Sequence, residues 1–228
     1  MNFNEWQVPK YEITELNSKA SKYCVCIPVI NEGEKIRKQL DKISKLANIV
    51  DVIILDGGST DGSLEIDFLK KSKVRVLLTK KDSGKLSAQL RMGFSYALSQ
   101  GYEGIITVDG NNKDSVESIP SFVQKLEEGY DFVQGSRYVP GGLEINTPLS
   151  RKLAIKLIHA PVISFISRFK YTDTTNGFRA HSRAFFDGSP TAAFQKYLSN
   201  VRAAGLLIRK GTKVRIQSER NPCNKTIS

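Results

Sequence analysis

The sequence predicts an α/β fold with a mostly parallel sheet, Rossmann-like in arrangement and covered by helices on both faces. Short apolar segments alternate along the chain with segments of about a dozen residues whose apolar side chains recur at helical spacing. The short segments are rich in Val, Ile and Leu and lack the polar alternation of a half-exposed strand, as is typical of a parallel sheet buried on both faces. The chain has 228 residues, of which 40% are hydrophobic, which is enough for the core of a single domain.

The first half of the chain contains the regular part of this pattern. Strands are predicted at residues 23–29, 51–55, 74–79 and 104–108, and helices at residues 32–47, 62–71 and 85–100. Asn31 and Ser83 are the predicted N-caps of the first and third helices, because their side chains can accept hydrogen bonds from the first helical N–H groups. Right-handed crossovers then bring the carboxyl ends of the strands to one edge of the sheet, where ligands bind in such folds.

The second half of the chain is less regular. The pattern predicts a helix at residues 116–129, a strand at 131–138, a turn at 140–142, a helical stretch at 148–171 interrupted by Pro161, and a loop at 172–179. No internal repeat or linker divides the chain. We therefore expect a polar N-terminal lead-in over residues 1–22 and one domain over residues 23–228.

Charge and composition narrow the choice of partners. The chain has 34 Lys and Arg against 23 Asp and Glu, a formal charge of +11, which favours nucleotides, nucleic acid or an anionic lipid surface. The cations are spread along the chain without a nucleic-acid-binding motif, so no nucleic-acid partner is expected. Cys24, Cys26 and Cys223 lack zinc-site spacing and suit a reducing compartment. Since neither a signal-peptide pattern nor a membrane-spanning apolar stretch is present, we expect a cytoplasmic protein, at most peripheral on the cytoplasmic face of the membrane.

Two common nucleotide-binding motifs are missing. The dinucleotide fingerprint G-x-G-x-x-G would follow the first strand, where residues 30–34 read Ile-Asn-Glu-Gly-Glu. No G-x-x-x-x-G-K-[ST] occurs either. The pattern therefore disfavours a nicotinamide-dependent enzyme and a P-loop nucleotide hydrolase.

Five segments resemble motifs of the family 2 glycosyltransferases, nucleotide-sugar enzymes with the GT-A fold. Residues 26–36 (CIPVINEGEKI) resemble the first strand and turn of that family, and residues 54–63 (ILDGGSTDGS) match its D-[DG]-G-S-x-D-G-[ST] pattern. Residues 104–112 (GIITVDGNN) stand where the family carries its D-x-D metal motif. Residues 134–142 (QGSRYVPGG) and 172–183 (TDTTNGFRAHSR) are similar to later segments of the polyprenyl-phosphate, dolichol-phosphate mannose synthase-like subgroup.

The resemblance implies a GT-A fold and a defined reaction. It implies an inverting transferase that moves a hexose from a nucleotide-sugar, with UDP or GDP as the nucleotide, to a polyprenyl phosphate in a metal-assisted single displacement. A hydroxyl on a lipid-linked or surface glycan is the alternative acceptor. The sequence shows no nucleophile with an adjacent base, which is consistent with a single displacement.

The donor site is predicted at the strand ends. The Asp56 carboxylate can accept hydrogen bonds from a base or ribose, and the backbone of Gly57 and Gly58 allows close approach. The alternative is that Asp56 and Asp61 form only turn and cap hydrogen bonds. With the residues that the resemblance adds, the predicted nucleotide-sugar-binding set is Pro28, Val29, Glu32, Asp56, Gly57, Ser59, Lys85, Asp109 and Gly110. Lys85, at the start of a predicted helix, suits an anionic phosphate or else is simply solvated.

Asp109 and Asn111 are the predicted metal ligands. The diphosphate that leaves a nucleotide-sugar needs a divalent cation held by hard oxygen ligands, here Mg²⁺ or Mn²⁺. Asn111 replaces the second acid of the family motif, so one formal charge is lost and Asp114 is a further candidate. The alternative is an Asx turn after a strand.

Acceptor binding is assigned to the second half of the chain. Arg137 and Arg151 suit bidentate recognition of phosphate and match arginines of the polyprenyl-phosphate subgroup, although surface arginines are common. Asp173 lies where the family places an acid facing the acceptor; a hydroxyl acceptor would need it as a base, whereas a phosphate is already ionised. Residues 151–168 mix bulky apolar and cationic side chains, which suits either an anionic membrane surface or a helix packed on the sheet.

Two other functional classes remain as alternatives. Sugar-phosphate nucleotidyltransferases share the alternating sheet, but their first loop is glycine-rich and basic, whereas residues 30–35 are acidic. A non-catalytic protein that binds nucleotide-sugars or nucleic acid is the other class. The intact strand-end loops argue against it.

Overall fold

The computed structural model describes residues 6–136, 138–139, 153–167, 172–173, 176–187 and 214–218. The strands are β1 (Tyr11–Glu15), β2 (Tyr23–Val29), β3 (Asp51–Asp56), β4 (Val74–Lys80), β5 (Gly104–Thr107), β6 (Phe132–Ser136), β7 (Arg179–Ser182) and β8 (Val214–Ser218). The α-helices are α1 (Glu34–Ile43), α2 (Ile66–Lys71), α3 (Leu86–Ser99), α4 (Ile119–Glu127), α5 (Ala160–Ser167) and α6 (Arg183–Asp187). Short 3₁₀ turns at Ser44–Leu46 and Val116–Ser118 follow α1 and precede α4, and a π-helical turn at Ile155–His159 precedes α5.

The strands form one mixed sheet in the order β1-β4-β3-β2-β5-β7-β6-β8. Parallel pairing joins β3 to β2 and β4, β2 to β5, and β6 to β8. The strands β1 and β7 pair antiparallel with their neighbours. The prediction of an α/β fold with a mostly parallel sheet is confirmed, and the carboxyl ends of β2, β3 and β5 meet at one edge.

Two hydrophobic cores lie on opposite faces of the sheet, which confirms the prediction of helices on both faces. Alternate residues of β2 point to the two sides, with Cys24 and Cys26 in one core and Val25 and Ile27 in the other. The first core packs against α3 and α6, and the second against α1, α2 and α4. His181 is buried in the first core among four phenylalanines, so it has a packing environment rather than a metal-ligand one.

The N-terminal residues contribute more than the expected polar lead-in. The strand β1 pairs antiparallel with β4 at one edge of the sheet, and Trp6 is buried in the core with α3 and α6. The sequence Tyr-Glu-Ile-Thr-Glu of β1 is mostly polar and its side chains are half-buried or exposed. An edge strand of this kind lacks the continuous apolar run by which the buried strands were predicted.

The two predicted N-caps are wrong. The helix α1 begins at Glu34 with Gly33 as its N-cap, and the Asn31 side chain instead accepts the N–H of Thr60 in the next strand-end loop. The helix α3 begins at Leu86 with Lys85 as its N-cap. Both helices start later than predicted, and before α1 the residues Asn31 and Gly33 instead hydrogen bond to the loop that follows β3.

The long helical stretch predicted at 148–171 is described over residues 153–167. It is helical throughout, with the π-helical turn leading directly into α5, and Pro161 is the second residue of α5, just after that turn. The turn predicted at 140–142 lies outside the described residues. Within the described part of the chain, no helix has the length and apolar character needed to cross a membrane.

Candidate functional site

A cleft of about 430 Å³ opens at the edge of the sheet where β2, β3 and β5 end. Most residues predicted to bind the nucleotide-sugar or the metal line this cleft, namely Pro28, Val29, Glu32, Gly57, Lys85, Asp109, Gly110 and Asn111. They come from four separate strand-end loops, and the parallel sheet brings them together. Asp56 and Ser59 are not part of the lining.

Asp109 is one of the two carboxylates in the described lining of this cleft, the other being Glu32. The side-chain oxygens of Asp109 accept no hydrogen bond from any residue in the described part of the chain. Burial raises the pKa of the Asp109 carboxyl above its usual value. The positive charge of Arg179 opposes this shift, and the negative charge of Glu32 adds to it. A partly desolvated carboxylate without a hydrogen-bond donor, beside a second acid, is well suited to a cation.

Gly177 faces the carboxylate of Asp109 from the other half of the chain. A Cβ atom at this position would lie 2.8 Å from Oδ1 of Asp109 and 3.2 Å from Oδ2. A side chain larger than hydrogen would therefore displace the carboxylate. Gly177 lies in the segment at residues 172–183, and no role for this glycine was predicted from the sequence.

The loop after Asp109 is folded back by hydrogen bonds of its own. The N–H of Asp109 donates to Oδ2 of Asp114 at 3.0 Å, and the N–H of Lys113 donates to Oδ1 of Asn111 at 3.0 Å. Asn111 thus forms the Asx turn that was its alternative interpretation, although a carbonyl oxygen has a second lone pair for a ligand. Asp114 is engaged within the loop.

Gly110 allows this loop to lie against β2. A Cβ atom at Gly110 would be 2.9 Å from the carbonyl oxygen of Pro28 and 3.1 Å from Cγ2 of Val29. The glycine therefore sets how closely the metal-motif loop approaches the first strand-end loop. Both loops border the cleft.

The acids of the ILDGGSTDGS segment are engaged in turn and loop hydrogen bonds. Oδ1 of Asp56 accepts the N–H groups of Gly58 and Ser59 at 3.1 and 2.8 Å. Its Oδ2 accepts no hydrogen bond from the described residues. Asp61 accepts the N–H of Gly33 at 2.8 Å, and the hydroxyl of Ser63 holds the pKa of Asp61 below its usual value.

Ser59 and Asn31 connect the same two loops. The hydroxyl of Ser59 accepts the N–H of Asn31 at 3.1 Å, and the Asn31 side chain accepts the N–H of Thr60 at 2.8 Å. Ser59 therefore has a structural contact in addition to its predicted binding role. These bonds hold the first and second strand-end loops side by side at the cleft.

Gln89 is a cleft residue that the sequence analysis missed. It lies on α3 and is buried, and its Nε2 donates to the carbonyl oxygens of Val29 at 2.9 Å and Leu55 at 2.7 Å. Both amide hydrogens thus hold the ends of β2 and β3 together. The signal available in the sequence was a polar residue within the mostly apolar helix predicted at residues 85–100.

Lys85 places a cation at the N-terminus of α3. Its side chain is exposed and makes no ion pair or hydrogen bond within the described residues. Because α3 is 14 residues long, the N–H groups of its first turn add partial positive charge at the same end of the cleft. The combination favours an anionic phosphate.

The predicted acceptor residues are only partly described. Asp173 is completely buried, and the preceding Thr172 hydroxyl hydrogen bonds with the Ser136 hydroxyl at 2.7 Å at the end of β6. Arg137 and Arg151 lie outside the described residues. Arg179, which the sequence analysis did not single out, is buried on β7 opposite Thr107 of β5, and its charge acts on Asp109.

The oxygen donors of the cleft fit Mg²⁺ or Mn²⁺. Within the described residues, no group of three or more His, Cys, Asp or Glu side chains is arranged around a common point. A cation at Asp109 would therefore have few protein ligands and would complete its shell with phosphate oxygens and water, as Mg²⁺ commonly does with nucleotides.

Comparison with known proteins identifies the family. Residues 24–199 match the model of glycosyl transferase family 2. The chain belongs to glycosyltransferase family 2. The match spans the strand-end loops and extends through β7 and α6, so the family segment contains the whole described cleft.

Several family 2 relatives resemble this chain in sequence. The polyprenol monophosphomannose synthase of Mycolicibacterium smegmatis is 28% identical over 163 residues, which cover 70% of this chain and 61% of the relative. The undecaprenyl-phosphate mannosyltransferase of Micrococcus luteus is 30% identical over 159 residues, covering 68% of this chain and 64% of the relative. The chain thus spans less than two thirds of the length of these relatives.

Solved structures confirm the GT-A glycosyltransferase fold. The glucosyl-3-phosphoglycerate synthase of Mycobacterium tuberculosis, crystallised with Mn²⁺, UDP and glucosyl-3-phosphoglycerate, superimposes with a TM-score of 0.57 at 20% identity. The superposition covers 85% of this chain and 68% of the synthase. At this identity the likeness establishes the fold.

Proposed function

We propose that this glycosyltransferase moves a hexose from a nucleotide-sugar to a polyprenyl phosphate in a metal-assisted, inverting single displacement. The observation that carries the proposal is the Asp109 carboxylate, which is partly desolvated and without a hydrogen-bond donor among the described residues, at the junction of the strand-end loops. A partly buried carboxylate in this state is costly unless a cation or donor balances it. A cation bound with a diphosphate would supply that balance.

The nucleotide of the donor, UDP or GDP, is assigned to the side of the cleft between β2 and β3. A volume of about 430 Å³ is within the usual range for ligand sites. Pro28, Val29 and Glu32 form its wall, Gly57 lets the ligand approach the backbone, and Oδ2 of Asp56 is available to the base. Ser59 holds the two loops in register.

The diphosphate is assigned to the other side, between Asp109 and α3. Asp109 and Asn111 would hold Mg²⁺ or Mn²⁺ there, and the bound cation would neutralise the charge that develops on the leaving diphosphate. Lys85 and the first N–H groups of α3 add donors to the same phosphates. Gly110 lets the loop lie close against β2, so that the phosphates could reach Asp109 and Asn111. The Mn²⁺ and UDP in the crystal of the structurally similar synthase support this choice of cofactor.

The acceptor is assigned to the second half of the chain, which approaches the cleft at Gly177, beside the Asp109 carboxylate. We propose that Arg137 and Arg151 bind its phosphate through paired guanidinium N–H groups. A phosphate monoester is already ionised near neutral pH, so Asp173 would orient groups rather than remove a proton. Two sequence relatives are named polyprenol monophosphomannose synthase and undecaprenyl-phosphate mannosyltransferase, and these names support a polyprenyl-phosphate acceptor.

An exposed apolar surface supports the presentation of this acceptor by a membrane. In residues 153–165 the side chains of Leu157, Ile158, Val162 and Phe165 are 69%, 62%, 52% and 87% exposed. Large apolar side chains clustered in one segment mark an interaction site more often than a free surface. We propose that this segment rests on the cytoplasmic face of the membrane.

Thermal unfolding with candidate donors tests the proposed function. UDP- and GDP-sugars with Mn²⁺ should raise the melting temperature, by an amount that follows ligand concentration, because they bind only the folded chain. The shift should require the cation and should be lost in Asp109→Ala. Stabilisation by none of these ligands, or equal stabilisation of Asp109→Ala, would contradict the proposal.

A further inference from the structure

Two side chains of α1 hold the loop that follows Asp109. Oε1 of Gln39 accepts the N–H of Asn112 at 2.7 Å, and Nζ of Lys42 donates to Oδ1 of Asn112 at 3.0 Å. We call Gln39, Lys42 and Asn112 the α1 clamp. It fixes both the main chain and the side chain of a residue that directly follows the predicted metal ligand Asn111.

Asn112 has a backbone conformation that needs outside support. Its φ angle is 56°, in the left-handed region that residues other than glycine seldom adopt, although Asn tolerates it better than most. The loop must make this turn to come back from Asp109 toward the 3₁₀ turn at Val116–Ser118. The hydrogen bond that the Asn112 N–H donates to Gln39 stabilises the turn at its least favourable residue.

Packing does not explain the glutamine at position 39. Gln39 lies on the buried face of α1 with Ile36, Leu40 and Ile43, and all four side chains are completely buried. Its Nε2 is buried without a hydrogen-bond partner among the described residues. An unpaired buried amide N–H is costly, and a leucine would fill this position without that cost. The acceptor that Gln39 provides for Asn112 is the interaction that offsets it.

We infer that the α1 clamp positions the cation-holding loop, with Gln39 as the positioning residue for Asp109 and Asn111. The inference rests on the proposed function, since it assigns the clamp to the same cation. The clamp orders the loop before the cation and diphosphate bind, so a smaller part of their binding free energy is needed to order it. Outer-shell partners of this kind commonly change metal affinity by about 10–100-fold.

Gln39→Leu tests the clamp, with Ile43→Val as its matched control on the same helix face. The Mn²⁺ dissociation constant is measured by calorimetry with saturating UDP or GDP, and amide hydrogen exchange at Asn112 is measured without cation. In Gln39→Leu the Asn112 amide should exchange faster and the Mn²⁺ constant should rise about 10-fold. Ile43→Val removes one methylene from the core and changes neither clamp side chain of α1, so its constant should stay within about twofold of the wild type.

The outcomes separate this inference from the proposed function. An unchanged Mn²⁺ constant in Gln39→Leu, or an equal rise in Ile43→Val, would overturn the inference while the wild-type chain still bound Mn²⁺. No Mn²⁺ binding by the wild-type chain with either nucleotide would overturn both. If Gln39→Leu does not fold, Lys42→Met, at an exposed position, tests the clamp instead. Its Mn²⁺ constant should rise about threefold, as expected for one hydrogen bond, and no change would again overturn the inference.

Discussion

Gly177→Ala should displace the carboxylate on which the proposed cation site depends. The added Cβ would lie 2.8 Å from Oδ1 of Asp109, whereas ordinary contacts begin near 3.4 Å, so the carboxylate must retreat by about 0.6 Å. A displacement on the order of 1 Å at a binding site can cost about 100-fold in rate. We expect Mn²⁺ and nucleotide affinity to fall about 10–100-fold, together with a stability loss of about 1–3 kcal/mol from overpacking.

Gly104→Ala separates these two effects. At this position, at the start of β5 and away from the cleft, a Cβ would lie 2.6 Å from Cδ1 of Leu126 and 2.8 Å from Cδ1 of Tyr23. It should lose a similar amount of stability, measured by urea unfolding, but leave the calorimetric Mn²⁺ and UDP or GDP affinities within about twofold of wild type. If both variants weakened binding equally, the loss would be one of general stability, and the reasoning about Asp109 would be refuted.

Three further outcomes are expected. Because burial raises the pKa of Asp109, the ionised carboxylate lowers the stability of the cation-free fold, and Asp109→Asn should raise its melting temperature at pH 7. The gain should fade as pH falls toward the ordinary carboxyl pKa, and an equal gain at all pH values would contradict this. Burial lowers the pKa of His181 to about 3, so acidification from pH 7 to 4 should lower the free energy of unfolding of the wild type by about 3 kcal/mol. His181→Leu should not show this loss when both proteins are unfolded with urea at the two pH values. The double variant Phe165→Ser with Leu157→Ser should lower co-sedimentation with anionic vesicles at least about 10-fold, whereas Ile13→Ser, at an exposed apolar position on β1, should not. Equal pelleting of the wild type and both variants would contradict the membrane proposal.

The buried strands and the loops that follow them could be predicted from the sequence. The strands β2, β3, β4 and β5 are mostly apolar, and a glycine or an acidic residue follows each of them within three residues. The change from apolar residues to glycine or acidic residues shows where each strand lies, because a strand buried on both faces needs apolar side chains throughout. Since the carboxyl ends of parallel strands share an edge, the set of cleft residues followed from the strand assignment.

Features set by distant contacts could not be predicted in the same way. Gln89 meets a carbonyl oxygen 60 residues earlier in the chain, and Gln39 meets an N–H 73 residues later. In the sequence both look like polar interruptions of an apolar helix face. Asn31 was misassigned for a related reason: an Asn side chain before a helix can cap that helix, but it can equally bond across to a neighbouring loop, as it does to Thr60.

The charge of the cleft argues that donor and cation bind together. The chain carries a formal charge of +11, yet among the charged residues of the cleft wall Glu32 and Asp109 are acidic and only Lys85 is basic. A diphosphate entering this cleft alone would face two carboxylates, and a cation entering alone would find few protein ligands. Each ligand supplies what the other lacks, so the cation should raise the affinity for the nucleotide and the nucleotide should raise the affinity for the cation by the same factor. The surplus of basic residues outside the cleft wall is available to attract anionic partners to the surface.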